Sequence, residues 1–219
     1  MTAGKRPRLV LVGPPGAGKT TVGKVVARRL GLEFTDVDAL IVERAGKPIS
    51  DIFTQDGEPA FRALEREVVA EALGTTSGVL ALGGGSVLAA ETRERLRGHE
   101  VVYLTVGLAD GLRRTGISTA RPLLVGVNPR ATFRALLEAR TPLYREVATI
   151  EIDTVRRNTN QVARAVLEAL GAADPEAPRS AEDDLPGEAD VPPEEGEPIE
   201  ITTTAGPAHG GRPAGSAGL

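Results

Sequence analysis

Arg8-Leu-Val-Leu-Val-Gly-Pro-Pro-Gly-Ala-Gly-Lys-Thr20 is the stretch on which the fold turns. Arg8–Val12 is a short run of branched apolar residues without alternation, the pattern of a strand covered on both faces. Gly13-Pro-Pro-Gly-Ala-Gly-Lys19-Thr20 follows it and fits the spacing G-x-x-x-x-G-K-[ST]. Behind the motif, Val22, Val25, Val26 and Leu30 recur at helical spacing, and Gly31 stands where a helix-ending glycine belongs. Strand, glycine-rich turn and helix in that order form a phosphate cradle. Gly16 and Gly18 let backbone N–H groups turn inward around phosphate oxygens, where a side chain would block the approach. The positive end of the helix adds attraction for an anion. The expected nucleotide contacts are Gly13, Pro14, Pro15, Gly16, Ala17, Gly18, Lys19, Thr20 and Thr21. Lys19 is long enough to reach β- and γ-phosphates, and the Thr20 hydroxyl is a ligand for Mg²⁺. The competing explanation, an ordinary glycine-rich turn before a helix, does not account for strand, motif and helix being in register.

Outward from this unit, Val79–Leu82, Val101–Val106 and Thr149–Asp153 read as further strands. Phe61, Leu64 and Val68 predict a helix running to about Leu73. Asn128-Pro129 opens another with a good N-cap and Pro at the first helical position, and Thr141-Pro142 is expected to close or kink it. Gln161–Leu170 is the last helix. Apolar strands alternating with helices imply an α/β fold of three layers, α/β/α, around a central parallel sheet.

Composition divides the 219 residues in two. Ala172–Leu219 carries 11 acidic and 2 basic residues, hence -9, while residues 1–171 carry 19 acidic and 24 basic, hence +5. All six aromatics precede residue 172, and eight of the 16 prolines follow it. A Pro-, Gly- and Glu-rich segment without aromatics cannot bury enough apolar surface to offset its ordering entropy, so 172–219 is expected to be a disordered tail on a domain spanning 1–171. With no cysteine and only His99 and His209, thiolate chemistry and Cys- or His-based zinc sites are excluded. His99 is expected in a solvated loop. The mild overall acidity speaks against a nucleic-acid partner, and no apolar stretch approaches a membrane span. A soluble, cytoplasmic protein is the expectation.

The phosphate loop alone does not name a reaction. No Asn-Lys-x-Asp guanine-reading motif occurs, and Val79–Leu82 ends in Gly83-Gly84-Gly85 rather than in the Asp or Asp-Glu of motor-type ATPases. Small P-loop kinases remain, which need an acceptor site and a basic lid. Asp36-Val-Asp38 follows the first helix; on a strand end two carboxylates two residues apart would point the same way. One suits Mg²⁺ held through water, the other a hydrogen bond from an attacking hydroxyl, although a solvated acidic loop or cap has the same composition.

Asp36 and Asp38, Arg62-x-x-Glu65 within the Asp51–Glu65 segment, and Gly83-Gly84-Gly85-Ser86-Val87, taken with the phosphate loop, resemble the shikimate kinase family from about Arg8 to Leu170. Thr20 replaces a commoner Ser and keeps the hydroxyl; Pro14-Pro15 stiffens the loop. The resemblance implies ATP as co-substrate, Mg²⁺ at Thr20 and Asp36, and transfer of a phosphoryl group to the 3-hydroxyl of shikimate, a step of chorismate and aromatic amino-acid biosynthesis. It implies shikimate contacts at Asp38, Arg62, Gly83, Gly84, Gly85 and Arg140, the arginines forming a clamp for the carboxylate. Arg140 also fits a cation at a helix C-terminus. Gly83–Gly85 is expected to offer exposed N–H groups. The Ile117–Gly126 segment reads as a lid, and the resemblance closes its Arg121 over the phosphates, leaving Lys19, Asp38 and Arg121 as the catalytic set. Arg114 and Arg157 match positions around the adenine. A monomer is implied. Gluconate or nucleoside monophosphate kinases of similar fold, and a nucleotide-binding module without catalysis, remain as alternatives at this point.

Overall fold

Leu9–Val12 forms strand β1, buried along its whole length; Leu9 and Leu11 enter one hydrophobic core and Val10 and Val12 the other. In the computed structural model, which describes residues 6–115 and 128–174, β1 lies in the middle of a five-stranded parallel sheet. Its other members are β2 (Phe34–Asp36), β3 (Val79–Ala81), β4 (Val101–Leu104) and β5 (Ile150–Ile152), in the order β2-β3-β1-β4-β5. Leu9 pairs with Val79 and Val10 with Val101, so β1 is flanked by β3 and β4. Because all the strands run the same way, the turns that leave them gather at one end of the sheet, where α/β folds bind ligands.

The helices are α1 (Lys19–Leu30), α2 (Val37–Ala45), α3 (Ile49–Gln55), α4 (Gly57–Thr75), α5 (Ala90–Leu96), α6 (Leu108–Thr115), α7 (Pro129–Val147) and α8 (Thr159–Ala169). α1 and α8 cover the Leu9/Leu11 face with Val22, Val26, Val162 and Val166. α2 to α5 cover the opposite face with Ile41, Ile52, Val69 and Leu96. α7 serves both cores, with Phe133 near its start in the first and Tyr144 near its end in the second. Among the described residues no helix is long and apolar enough to cross a membrane.

Three details depart from the sequence expectation. Phe34–Asp36 adds a strand at the sheet edge, too short and too polar to register as an apolar run. α7 does not end at Thr141-Pro142 but continues to Val147. Pro142 is exposed, so the ladder interruption that it causes faces water, while Tyr144 beyond it is fully buried and holds the last turns in place. His99 is partly buried rather than solvated; burial, then the Arg6 guanidinium, pushes its imidazole below the usual histidine range.

α8 opens on a capping box between Asn158 and Gln161. Beyond it the described chain runs to Asp174, whose carboxylate meets the Arg29 guanidinium at 2.8 Å, with the two side chains 8% and 4% exposed. The tail expected from residue 172 lies outside the described residues from 175 onward.

Candidate active site

The phosphate loop leaves β1 through three glycines in the left-handed region, at φ 148° for Gly13, 78° for Gly16 and 87° for Gly18. A side chain at Gly16 would be strained by its φ and would stand 2.9 Å from the Gly111 carbonyl oxygen on α6. The loop is thus packed against α6 as well as shaped by its own residues. Lys19 opens α1 and donates to the carbonyls of Gly13 at 2.7 Å and Pro14 at 3.1 Å, so its ammonium lies within the turn it follows. Thr20 and Thr21 stand exposed in the first turn of α1.

The Thr20 hydroxyl donates to Asp36 Oδ2 at 2.7 Å. Asp36 ends β2 and also caps α2, its other oxygen accepting from the backbone N–H of Asp38 at 3.0 Å. The two carboxylates are therefore not partners on one strand, as the sequence spacing suggested. The chain turns into α2 between them, leaving Asp36 half-buried beside Thr20 and Asp38 exposed on the helix. Thr20 and Asp36 make a pair of hard oxygen donors beside the phosphate loop, the donor chemistry that suits a magnesium ion retaining most of its waters.

Gly83-Gly84-Gly85 leaves β3 at the same end of the sheet and runs into a 3₁₀ turn at Ser86–Leu88. Gly83 and Gly85 are buried, against the expectation of exposed N–H groups, because charged side chains crowd them. A Cβ on Gly83 would lie 2.7 Å from Asp38 Oδ1 and 2.9 Å from Glu65 Oε1, and one on Gly85 would overlap the Arg62 guanidinium. One on Gly84 would stand 3.1 Å from Pro15 Cδ, so this turn abuts the phosphate loop directly.

Arg62, on α4, donates to Glu65 at 2.7 Å and to Glu58 at 3.2 Å. Glu65 is 3% exposed and accepts a second bond, at 2.7 Å, from the Ser86 hydroxyl. A buried carboxylate held by a cation and a hydroxyl is a satisfied group, and it fixes the Arg62 fork beside Gly85. From α7, Arg140 donates to the Gly84 carbonyl at 2.9 Å and the Tyr144 hydroxyl donates to the same oxygen at 2.5 Å. Two arginines from different helices thus meet the triple-glycine turn, one at Gly84 and one at Gly85.

The sequence model of the shikimate kinase family matches residues 15–171. A shikimate kinase of Saccharopolyspora erythraea is 66% identical over 68% of this chain and 85% of its own length. One from Thermobifida fusca is 55% identical over 77% of this chain and 97% of its own. This chain belongs to the shikimate kinase family. Among solved structures, a shikimate kinase from Acinetobacter baumannii in complex with shikimate superposes with a TM-score of 0.73 at 41% identity, covering 76% of this chain and 93% of that one. A second, from Bacteroides thetaiotaomicron, gives 0.68 at 31% identity, covering 77% and 99%. The three-layer α/β/α arrangement expected from the sequence is the fold of this family.

Within this shikimate kinase fold, the residues singled out in the sequence gather at one end of the sheet, with two exceptions. Arg121 lies outside the described residues. Arg157 is exposed in the turn between β5 and α8 and joins the site only through neighbours, its N–H donating to the Thr154 carbonyl at 3.3 Å. Arg114, in the last turn of α6, has Nη1 3.5 Å from both the Gly16 carbonyl and the Thr154 hydroxyl, beside the phosphate loop. Sequence reasoning passed over Ser86, Thr154 and Tyr144 as participants and quoted Glu65 only as spacing. The interval Arg62-x-x-Glu65 did carry a signal, since i,i+3 places both on one helix face. Ser86 and Tyr144 carried none, because their partners lie 21 and 60 residues away.

Proposed function

We propose that this chain transfers the γ-phosphoryl group of ATP to the 3-hydroxyl of shikimate, giving shikimate 3-phosphate and ADP in the cytoplasm, and that it works as a monomer. The observation that carries the reading is the contact between the phosphate loop and the triple-glycine turn at Pro15 and Gly84. It sets a nucleotide-phosphate site beside two arginines on separate helices. Shikimate, a cyclohexene with one carboxylate and three hydroxyls, is an acceptor of matching chemistry. Its carboxylate suits the Arg62 and Arg140 forks, which meet the turn at Gly85 and Gly84.

In this reading the acceptor hydroxyl accepts the phosphoryl group at its oxygen while the bond to the bridging oxygen of ADP breaks. Asp38 accepts the hydrogen bond of that hydroxyl and is placed to take its proton. The backbone from Gly13 to Gly18 cradles the phosphates, and Lys19 moves from the loop carbonyls onto the β- and γ-oxygens. Thr20 and Asp36 would hold Mg²⁺, which when bound neutralises phosphate charge. Arg114, and Arg157 in the turn beyond Thr154, are assigned to the adenine side, and Arg121, outside the described residues, to the transferring phosphoryl group. Because phosphoryl transfer needs little covalent help, positioning and electrostatic stabilisation supply most of the rate.

The test is an ADP-release assay over a panel of acceptors: shikimate, gluconate and nucleoside monophosphates. Turnover is expected with shikimate alone, and Lys19→Ala is expected to abolish it. Preference for gluconate or a nucleotide overturns the substrate assignment. Full turnover by Lys19→Ala overturns the phosphate-loop role.

A further inference from the structure

The Gly84–Gly85 peptide stands between the two arginines. Its carbonyl takes Arg140 Nη1 at 2.9 Å and the Tyr144 hydroxyl at 2.5 Å, and its glycine Gly85 lies against the Arg62 guanidinium. Arg140 and Tyr144 are four residues apart on α7, so both reach the turn from one face of the helix. The two side chains thus converge on one carbonyl oxygen, and the Arg140 charge acts on the Tyr144 phenol beside it. Tyr144 is fully buried, and its ring stacks on Tyr103 of β4 with centroids 5.1 Å apart and planes 21° apart. The ring has nowhere to go. Burial also pushes its phenol well above the usual tyrosine range, so the hydroxyl stays protonated and remains a donor.

A carbonyl oxygen has two lone pairs, and here both are used. The two donors are not equivalent. Tyr144 is locked by its stack, whereas Arg140 is half-buried and carries further N–H groups in its fork. If Arg140 is to turn its fork toward a substrate carboxylate, the Gly84 carbonyl must not be left without a partner, since an unsatisfied buried acceptor is costly. The Tyr144 hydroxyl removes that penalty.

We propose that Tyr144 is a positioning residue for the acid-binding arginine. It holds the Gly84 carbonyl independently, so that Arg140 is released to the substrate carboxylate and the peptide between the two arginines keeps its orientation. The inference rests on the shikimate reading above and adds a device that works through Arg140 and Gly84 rather than by touching the substrate.

The test compares Tyr144→Phe with Tyr103→Phe in steady-state kinetics. The two variants lose the same hydroxyl from the same stacked pair, but it is the Tyr144 hydroxyl that donates to Gly84. Tyr144→Phe is expected to raise KM for shikimate about tenfold, the cost of one unsatisfied buried acceptor, while KM for ATP stays within about twofold and kcat is largely kept. Tyr103→Phe is expected to leave both KM values within that limit. An unchanged shikimate KM in Tyr144→Phe, an equal rise for both substrates, or the same rise in Tyr103→Phe overturns the proposal. Should Tyr144→Phe not fold, the unmutated chain still decides. Its two tyrosines, labelled as 3-fluorotyrosine, give two fluorine resonances, assigned with Tyr103→Phe. Saturating shikimate is expected to shift the Tyr144 signal as Arg140 leaves the Gly84 carbonyl that the two share, and no shift overturns the proposal. Lack of shikimate turnover by the unmutated chain is a different result, and overturns the function rather than the positioning role.

Discussion

Glu65 joins more of the site than any residue picked for chemistry. One of its oxygens holds Arg62 and the other accepts from Ser86 and lies against Gly83, all in a place with almost no water. Removing Arg62 therefore has two consequences with one cause. Arg62→Ala is expected to weaken shikimate binding about 100-fold, the worth of a charged bidentate contact, while ATP affinity is retained. Calorimetric titration with each substrate measures this, and equal losses for both would remove Arg62 from the acid site. The same substitution leaves the buried Glu65 charge with the Ser86 hydroxyl but without its cation, so stability should fall by about 2–3 kcal/mol in urea unfolding. The arginine itself was legible in the sequence as the first half of Arg62-x-x-Glu65. That its carboxylate partner is buried was not, because burial depends on what Gly83 and Ser86 bring from another element.

At the scale of elements, the site is an encounter between three connections: the phosphate loop after β1, the triple-glycine turn after β3, and the C-terminal half of α7. The first was fully legible, since its strand, glycines, lysine and helix are consecutive. The second was legible as glycine but misjudged as exposed backbone. The glycines are needed because Asp38, Glu65 and Arg62 press on them. Gly85→Ala tests this directly. The new methyl would meet the Arg62 guanidinium, which Glu65 holds, rather than backbone. Stability should then fall by no more than about 2–3 kcal/mol, the figure for losing the Arg62–Glu65 pair, since the guanidinium yields only by giving up that contact. The displaced guanidinium should raise KM for shikimate at least as far as Tyr144→Phe does, with KM for ATP unchanged. A large stability loss with normal kinetics would mean that the glycine serves packing alone. The third connection runs past the proline at which the helix was expected to close or kink. Thr141-Pro142 looks like a stop, yet the burial of Tyr144 and the bonds to Gly84 carry the helix on for five residues past the proline.

Across the whole molecule, the charge split that divides the sequence at Gly171 cuts through a packed contact. Asp174, counted with the acidic segment by composition, reaches back 145 residues to Arg29 at the end of α1. That arginine also donates to Asn160 at 3.1 Å, so it ties the end of α1 to α8 and to the chain that follows it. A chain shortened to end at Asp174 keeps this pair, and one shortened to end at Gly171 loses it. The shorter chain is expected to be about 2 kcal/mol less stable, a fall in Tm of about 4–8 °C, because a buried ion pair is broken. Equal Tm values for the two would show the pair to be unimportant.

What the sequence by itself determined is everything encoded in consecutive residues. This covers the parallel sheet with its helical layers, the phosphate loop with Lys19 and Thr20, and, through a resemblance resting on short motifs, the family. Periodicity and turn chemistry act over a few residues, and a linear reading captures them. Only the tertiary structure decided which charges are buried, that Asp36 caps a helix while Asp38 lies beyond the strand, that Gly84 receives Arg140 and Tyr144 together, and that Asp174 packs against Arg29. Those facts depend on desolvation and on groups 20 to 145 residues apart meeting in space. Burial is a property of the assembled neighbours, and no local pattern contains it.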